Sequence, residues 1–239
     1  MSTKWTLVTG GAKNLGAVIC KTLAKNGHAV CLQYKTSKTE AEKVVAECRA
    51  LGVEAELIQG SFDTSGSTVE FVERYKTHFK VTKNLINNVG HYVVKTIEDT
   101  ELEEAQALFQ TNFFAPYLLS KYLIDQIKIA KGVILNVGTS GLLGVRADCR
   151  SAVYTASKMA LWSFTKSSAK ELAPFGVRVN MVSPGRLEHS IDMPKNIDLL
   201  PMKRLGTFAE VARVCAFLLD DANGYITGQN IEIAGAISL

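Results

Sequence analysis

The sequence predicts an α/β fold: a mainly parallel, seven-stranded sheet, doubly wound, with helices on both faces. Three observations point there. Short apolar runs alternate with longer segments of helical period along the 239 residues. Strand, helix and strand repeated in this way imply right-handed crossovers, which leave neighbouring strands parallel and lay helices over both faces. Apolar residues make up 47% and charged residues 21%, the balance of a globular chain that buries a core without staples.

The first strand is predicted over 4–9 and the first helix over 15–26, where Leu15, Val18, Ile19 and Leu23 fall on one helical face. A second strand at 28–34, containing Ala29-Val30-Cys31-Leu32, is followed by a helix at 38–51, and a third at 53–59 by a helix at 65–79. The fourth strand, 84–87, closes on Asn87-Asn88-Val89-Gly90 and precedes helices at 101–110 and 113–130. The fifth, 132–137, runs through Gly138-Thr139-Ser140-Gly141 towards a helix at 151–173. The sixth, 176–183, ends at Pro184-Gly185, and a helix at 208–220 and a strand at 230–234 complete the pattern. No repeat, low-complexity segment or linker interrupts it, so 1–239 reads as a single domain.

Charge and composition remove several function classes. Lysine and arginine number 27 against 23 acidic residues, a net +4 spread along the chain. That is a solvated surface, not a nucleic-acid-binding one, and it does not repel an anionic cofactor or an acidic partner. The cysteines at 20, 31, 48, 149 and 215 form no C-x-x-C pair and read as buried hydrophobes in a reducing compartment. No apolar run approaches a membrane span and no signal peptide opens the chain, so the expected location is the cytoplasm. The histidines at 28, 78, 91 and 189 form no H-E-x-x-H, and no metal site is expected.

Ligands of such a sheet sit beyond the carboxyl ends of its strands. After the first strand comes Thr9-Gly10-Gly11-Ala12-Lys13-Asn14-Leu15-Gly16. A glycine-rich turn into a helix lets a diphosphate approach the backbone and meet free N–H groups at the helix start. It is neither a Walker loop nor G-x-G-x-x-G. The spacing Tyr-x-x-x-Lys occurs three times, at Tyr34–Lys38, Tyr117–Lys121 and Tyr154–Lys158. In a helix that spacing puts both side chains on one face, where an ammonium favours the phenolate and tunes a general acid. Tyr34–Lys38 follows a strand, and Tyr117–Lys121 reads as a packed ring beside a snorkelling lysine. Only Tyr154–Lys158 follows a strand end with small hydroxyls, Asn136-Val137-Gly138-Thr139-Ser140-Gly141.

These motifs, in this order over about 4–235, resemble the short-chain dehydrogenases/reductases, with their T-G-x-x-x-G-x-G turn, N-N-A-G strand end and Tyr-x-x-x-Lys helix. Tyr225-Ile226-Thr227-Gly228-Gln229 and Arg204-Leu205-Gly206-Thr207 also match. The resemblance implies a Rossmann-type fold and a dinucleotide held by Gly10, Lys13, Asn14, Leu15, Gly16, Asn88, Val89, Gly90, Pro184 and Gly185. Asn14 replaces the middle glycine, and asparagine tolerates the positive φ needed there. Ser61, followed by Phe62, stands where the family often meets adenine with an aspartate. The second strand ends at Tyr34-Lys35-Thr36-Ser37-Lys38 without the acidic residue that accepts from the ribose of NAD. Lys13, Lys35, Ser37 and Lys38 are suited instead to a 2′-phosphate, so the expected cofactor is NADPH/NADP.

The resemblance also implies a catalytic set of Asn112, a hydroxyl, Tyr154 and Lys158. Counted forward from Asn136 the hydroxyl falls on Thr139, and counted back from Tyr154 it falls nearer Ser140 or Gly141; Thr139 is favoured and Ser140 kept. A helix N-cap is the competing reading of Asn112. His91 is read as a loop histidine, and Ser190, beside His189, as a substitute for the family's carboxamide-binding threonine. The tail from Pro201 to Gly228 most resembles 3-oxoacyl-acyl-carrier-protein reductases, which implies an acyl-thioester substrate and docking of an acidic carrier near Lys128 and Lys131, although Phe175 replaces an expected arginine. Ala12-Lys13 and Ala29-Val30-Cys31-Leu32 also look like pteridine reductases. A non-catalytic dinucleotide sensor is a reading from another class, against which the retained Asn112, Tyr154 and Lys158 weigh. Arg186–Met202 is expected to be a substrate lid, and the helices 113–130 and 151–173 to pack across the dyad of a homotetramer.

Overall fold

A computed structural model describes residues 3–145, 147–191, 193 and 196–239. Seven strands run β1 (Trp5–Val8), β2 (Ala29–Tyr34), β3 (Ala55–Gln59), β4 (Thr82–Asn87), β5 (Val133–Val137), β6 (Arg178–Pro184) and β7 (Asn230–Ile233). Seven helices connect them: α1 (Asn14–Lys25), α2 (Lys38–Ala50), α3 (Ser65–His78), α4 (Leu102–Phe109), α5 (Ala115–Ala130), α6 (Ala152–Leu172) and α7 (Phe208–Leu219). All pairings are parallel and the order is β3-β2-β1-β4-β5-β6-β7. This is the doubly wound, Rossmann-type α/β fold. Its topological switch lies between β1 and β4, where successive connections turn to opposite sides.

Side chains alternate across the strands and feed two cores. Val8, Leu32, Ile86, Leu135 and Val182 join Ile19 and Leu23 of α1 and Val211 and Leu218 of α7. Leu7, Leu85, Ile134 and Val179 face the other way, onto Phe71 and Tyr75 of α3 and Leu119, Leu123 and Ile127 of α5. Strands buried on both faces read as continuous apolar runs, which is why periodicity locates them.

The corrections are local. β4 begins at Thr82, two residues before the expected start, because polar Thr82 is buried by hydrogen bonds to Tyr75 Oη and Gln126 Oε1. β3 begins at Ala55 rather than 53. The two helices expected at 101–110 and 113–130 form one continuous run, joined by a π-helical turn at Gln110–Phe114. Four cysteines are buried as expected, but Cys149 is exposed in the loop before α6.

Candidate active site

The glycine turn follows from backbone sterics. Gly10 has φ +63° and Asn14 φ +47°, so asparagine does adopt the left-handed conformation in place of glycine. At Gly16 a Cβ would lie 2.1 Å from Gly10 O, so no side chain fits. Lys13 is the N-cap of α1 and makes no side-chain cap; the first turn of α1 opens onto this cradle. Asn88 Nδ2 donates to Thr9 O at 2.9 Å, and Thr9 Oγ1 accepts from the N–H groups of Asn88 and Val89 at 2.8 and 3.0 Å. The β4 end is thereby sewn to the turn.

Sequence reasoning missed Gln33, which is buried at the end of β2. Its Oε1 accepts from Gly10 N at 2.8 Å and its Nε2 donates to Gly60 O at 2.7 Å. One amide thus spaces the ends of β1, β2 and β3. Its only signal was a polar residue inside an apolar strand.

Three of the expected dinucleotide-binding residues turn their side chains to the core. Tyr34 is buried with the α1–α2 cluster and Leu15 packs against it. Phe62 is buried edge-on against Phe71, ring centroids 5.2 Å apart. Ser37 is the N-cap of α2 without a side-chain cap bond, and Ser61 Oγ accepts from Asp63 N at 3.2 Å. The lysines of the basic loop each have an acidic neighbour. Lys13 pairs with Glu40 at 2.8 Å, Lys35 with Asp63 at 2.6 Å and Lys38 with Glu42 at 3.8 Å.

The second cluster forms where β4, β5 and α6 meet. Tyr154 and Lys158 lie near the start of α6, with Lys158 Nζ 6.0 Å from the Tyr154 ring centroid. Lys158 is buried and its Nζ donates to Val137 O at 2.9 Å. The chain passes close to it at Gly90, where a Cβ would stand 3.3 Å from Lys158 Nζ and 3.5 Å from Asn112 Oδ1. Of the two candidate hydroxyls, that of Thr139 favours the Tyr154 phenolate. Ser140 is tied through its backbone, its N–H donating to Pro184 O at 3.0 Å. Pro184 ends β6, and Gly185 N donates to Ile233 O of β7 at 3.0 Å.

Asn112 is fully buried in the π-helical turn, not at a helix N-cap. Its Oδ1 accepts from His91 N at 2.8 Å, and its Nδ2 donates to His91 O and Ser157 Oγ at 2.9 Å each. Ser157 Oγ donates in turn to Tyr154 O at 2.6 Å. Asn112 therefore joins the loop after β4 to the first turns of α6.

The electrostatics differ from the expected ammonium-tuned phenol. Burial pushes the Tyr154 phenol up to about 12, and the Thr139 hydroxyl is the group that pulls it back. Burial also lowers the Lys158 ammonium to about 8. The Lys158 ammonium is engaged in the bond to Val137 O, and lysine is not among the influences on the phenol here.

A family model described as short chain dehydrogenase matches residues 4–199. The chain belongs to the short-chain dehydrogenase family. Among curated relatives, the 3-oxoacyl-[acyl-carrier-protein] reductase FabG of Staphylococcus epidermidis is 30% identical over 98% of each chain. Among solved structures, a blue fluorescent protein from a metagenomic library in complex with NADPH has a TM-score of 0.90 at 25% identity, covering 100% of this chain and 99% of that one. A short-chain dehydrogenase of Burkholderia cenocepacia in complex with NADP has a TM-score of 0.88 at 29% identity, covering 98% and 97%.

Three further residues of this short-chain dehydrogenase were not singled out from sequence. Tyr92 sets its ring edge-on to Tyr154, centroids 4.6 Å apart at 73°. Asp148 accepts from Ser151 Oγ at 2.6 Å and Thr155 Oγ1 at 2.8 Å, fixing the start of α6. Glu232 of β7 accepts from Gly141 N at 2.7 Å and braces the Thr139 loop. Their partners are distant or on irregular backbone, so no helical or strand period marks them. The His189 ring tilts over Phe208, and Ser190 Oγ accepts from Leu187 N at 3.0 Å. Within the expected lid, Asp192, Pro194 and Lys195 lie outside the described residues.

Proposed function

We propose that this short-chain dehydrogenase is an NADPH-dependent reductase of a carbonyl group and that its substrate is a 3-oxoacyl thioester. The observation that carries the reading is the gathering of Thr139, Tyr154 and Lys158 at the carboxyl edge of the sheet, with Asn112 behind them. The glycine turn suits a dinucleotide, since it leads into the first turn of α1, whose N–H groups are free to meet a diphosphate. The absence of an acidic residue at the end of β2 supports the phosphorylated form, as do the NADPH- and NADP-bound relatives. Relatives named for 3-oxoacyl-[acyl-carrier-protein] support the thioester.

When bound, the reduced nicotinamide supplies the hydride. Tyr154 donates its phenolic proton to the carbonyl oxygen, for which a raised pKa keeps the proton in place at neutral pH. Thr139 donates to the same oxygen and orients it. Lys158 and Tyr154 hold the nicotinamide ribose, while Asn112 fixes the geometry of α6 against the loop after β4 and supports proton resupply. Lys128 and Lys131 serve an acidic carrier. Lys128 Nζ lies 4.0 Å above the Phe175 ring, so an aromatic ring supports the cation where an arginine was expected. The segment 186–202 acts as a lid, the chain works as a single domain, and its place is the cytoplasm; no described helix is long and apolar enough to cross a membrane.

Oxidation of NADPH is measured with acetoacetyl thioester and with dihydropterin. Turnover of the thioester is expected. Preferential turnover of the pterin replaces the substrate assignment, and binding of NADPH without turnover of any carbonyl replaces the enzyme with a sensor.

A further inference from the structure

The three lysines at the ribose end face three carboxylates, and all six side chains are substantially exposed. Three positive and three negative charges cancel, so at a distance this corner exerts little pull on an anion. The pairs are not equivalent. Glu42 pairs within its own helix, four residues from Lys38. Asp63 pairs with Lys35 and also receives the Ser61 hydroxyl. Glu40 alone joins the glycine turn to the first turn of α2, through Lys13. It therefore stands between the two loops that flank the adenosine ribose in the reading above.

We propose that Glu40 is a specificity-determining residue for the dinucleotide: its carboxylate occupies the place of a phosphate on the ribose 2′-oxygen and opposes the phosphorylated form. The inference rests on the NADPH reading and deepens it. An entering phosphate must draw Lys13 away from Glu40 and then lie beside that carboxylate. A ribose with a free 2′-hydroxyl does neither, and donates to Glu40 as it would to an acidic residue at a strand end. The phosphate still displaces the carboxylate, because an exposed ion pair is weak and a phosphate offers more charge and more acceptors. The same side chain thus weakens one dinucleotide and helps the other.

The test is a set of dissociation constants for NADPH, NADH and 2′,5′-ADP, measured by titration calorimetry without substrate. In Glu40→Gln, NADPH and 2′,5′-ADP are expected to bind about fivefold more tightly and NADH about twofold more weakly, the scale of one exposed charge pair. Glu47→Gln, which removes a carboxylate paired with Lys21 of α1, is expected to change none of them. Lys13→Met is expected to weaken NADPH and 2′,5′-ADP while sparing NADH. An unchanged or parallel response of NADPH and NADH in Glu40→Gln overturns the proposal, and so does an equal effect from Glu47→Gln. If the unaltered protein prefers NADH or binds neither dinucleotide, the NADPH reading itself falls and this inference with it.

Discussion

Lys158 is held in a charge state that costs stability and serves chemistry. Lys158 is 4% exposed and its ammonium is lowered to about 8 from 10.5. Below pH 8 both folded and unfolded chains carry the proton, and the folded chain bears the full penalty of about 3 kcal/mol. Between pH 8 and 10.5 the folded chain gives up its proton first, so stability rises with pH. Lys158→Met is therefore expected to be inactive yet more stable at pH 7, with an advantage that shrinks as pH rises towards 10. Denaturant titrations of both proteins across that range check it, and a constant difference would contradict the buried ammonium. For turnover, Tyr154→Phe and Thr139→Val should each lose roughly 10²–10⁴-fold in kcat with dinucleotide binding retained. Ser140→Ala should stay within about threefold, a margin set by side-chain positioning alone. Steady-state kinetics separates the two hydroxyls.

At the scale of elements, the glycine turn concentrates a prediction about backbone. Asn14 sits at φ +47° at the first position of α1. Asn14→Ala is expected to cost about 1 kcal/mol, the penalty of a left-handed alanine, lowering Tm by about 2–4 °C. Asn14→Gly should be neutral within about 0.5 kcal/mol. Calorimetric melting of both variants tests it, and an unaffected alanine variant would show that the turn relaxes to negative φ. The strands and helices were legible in sequence because both faces of the sheet are apolar and the helices are amphipathic. The starts of β3 and β4 were less so, since buried Thr82 looks polar until Gln126 and Tyr75 are beside it. Tyr154, Lys158 and Asn112 were legible through ordered motifs. The choice between Thr139 and Ser140 was not, because counting along a loop does not say which hydroxyl turns to the phenol. The carboxylates opposing Lys13 and Lys35 were invisible for a related reason. Glu40 and Asp63 lie on neighbouring elements, and only the folded chain brings them to the lysines.

At the scale of the whole molecule, α5, the π-helical turn and α6 present an aromatic ridge. Phe113 lies 5.3 Å from Phe114 and 6.1 Å from Phe164, and Tyr117 lies 5.8 Å from Phe164. Phe114 is 43% exposed and Tyr117 36%. An exposed aromatic ridge suits an interface, and it lies on the helices expected to pack across a tetramer dyad. Light scattering is expected to give four chain masses, and Phe114→Asp a smaller assembly with unchanged far-ultraviolet circular dichroism. A monomeric unaltered protein would remove the tetramer. The strand order carries a consequence for synthesis. β1 lies in the interior, β2 and β3 extend the sheet one way, and β4 to β7 extend it the other. Each newly emerged strand can therefore join the current rim of a growing ribbon without prising open a finished pair. The ribosome delivers the chain in an order that lets it be laid down outwards from its own beginning.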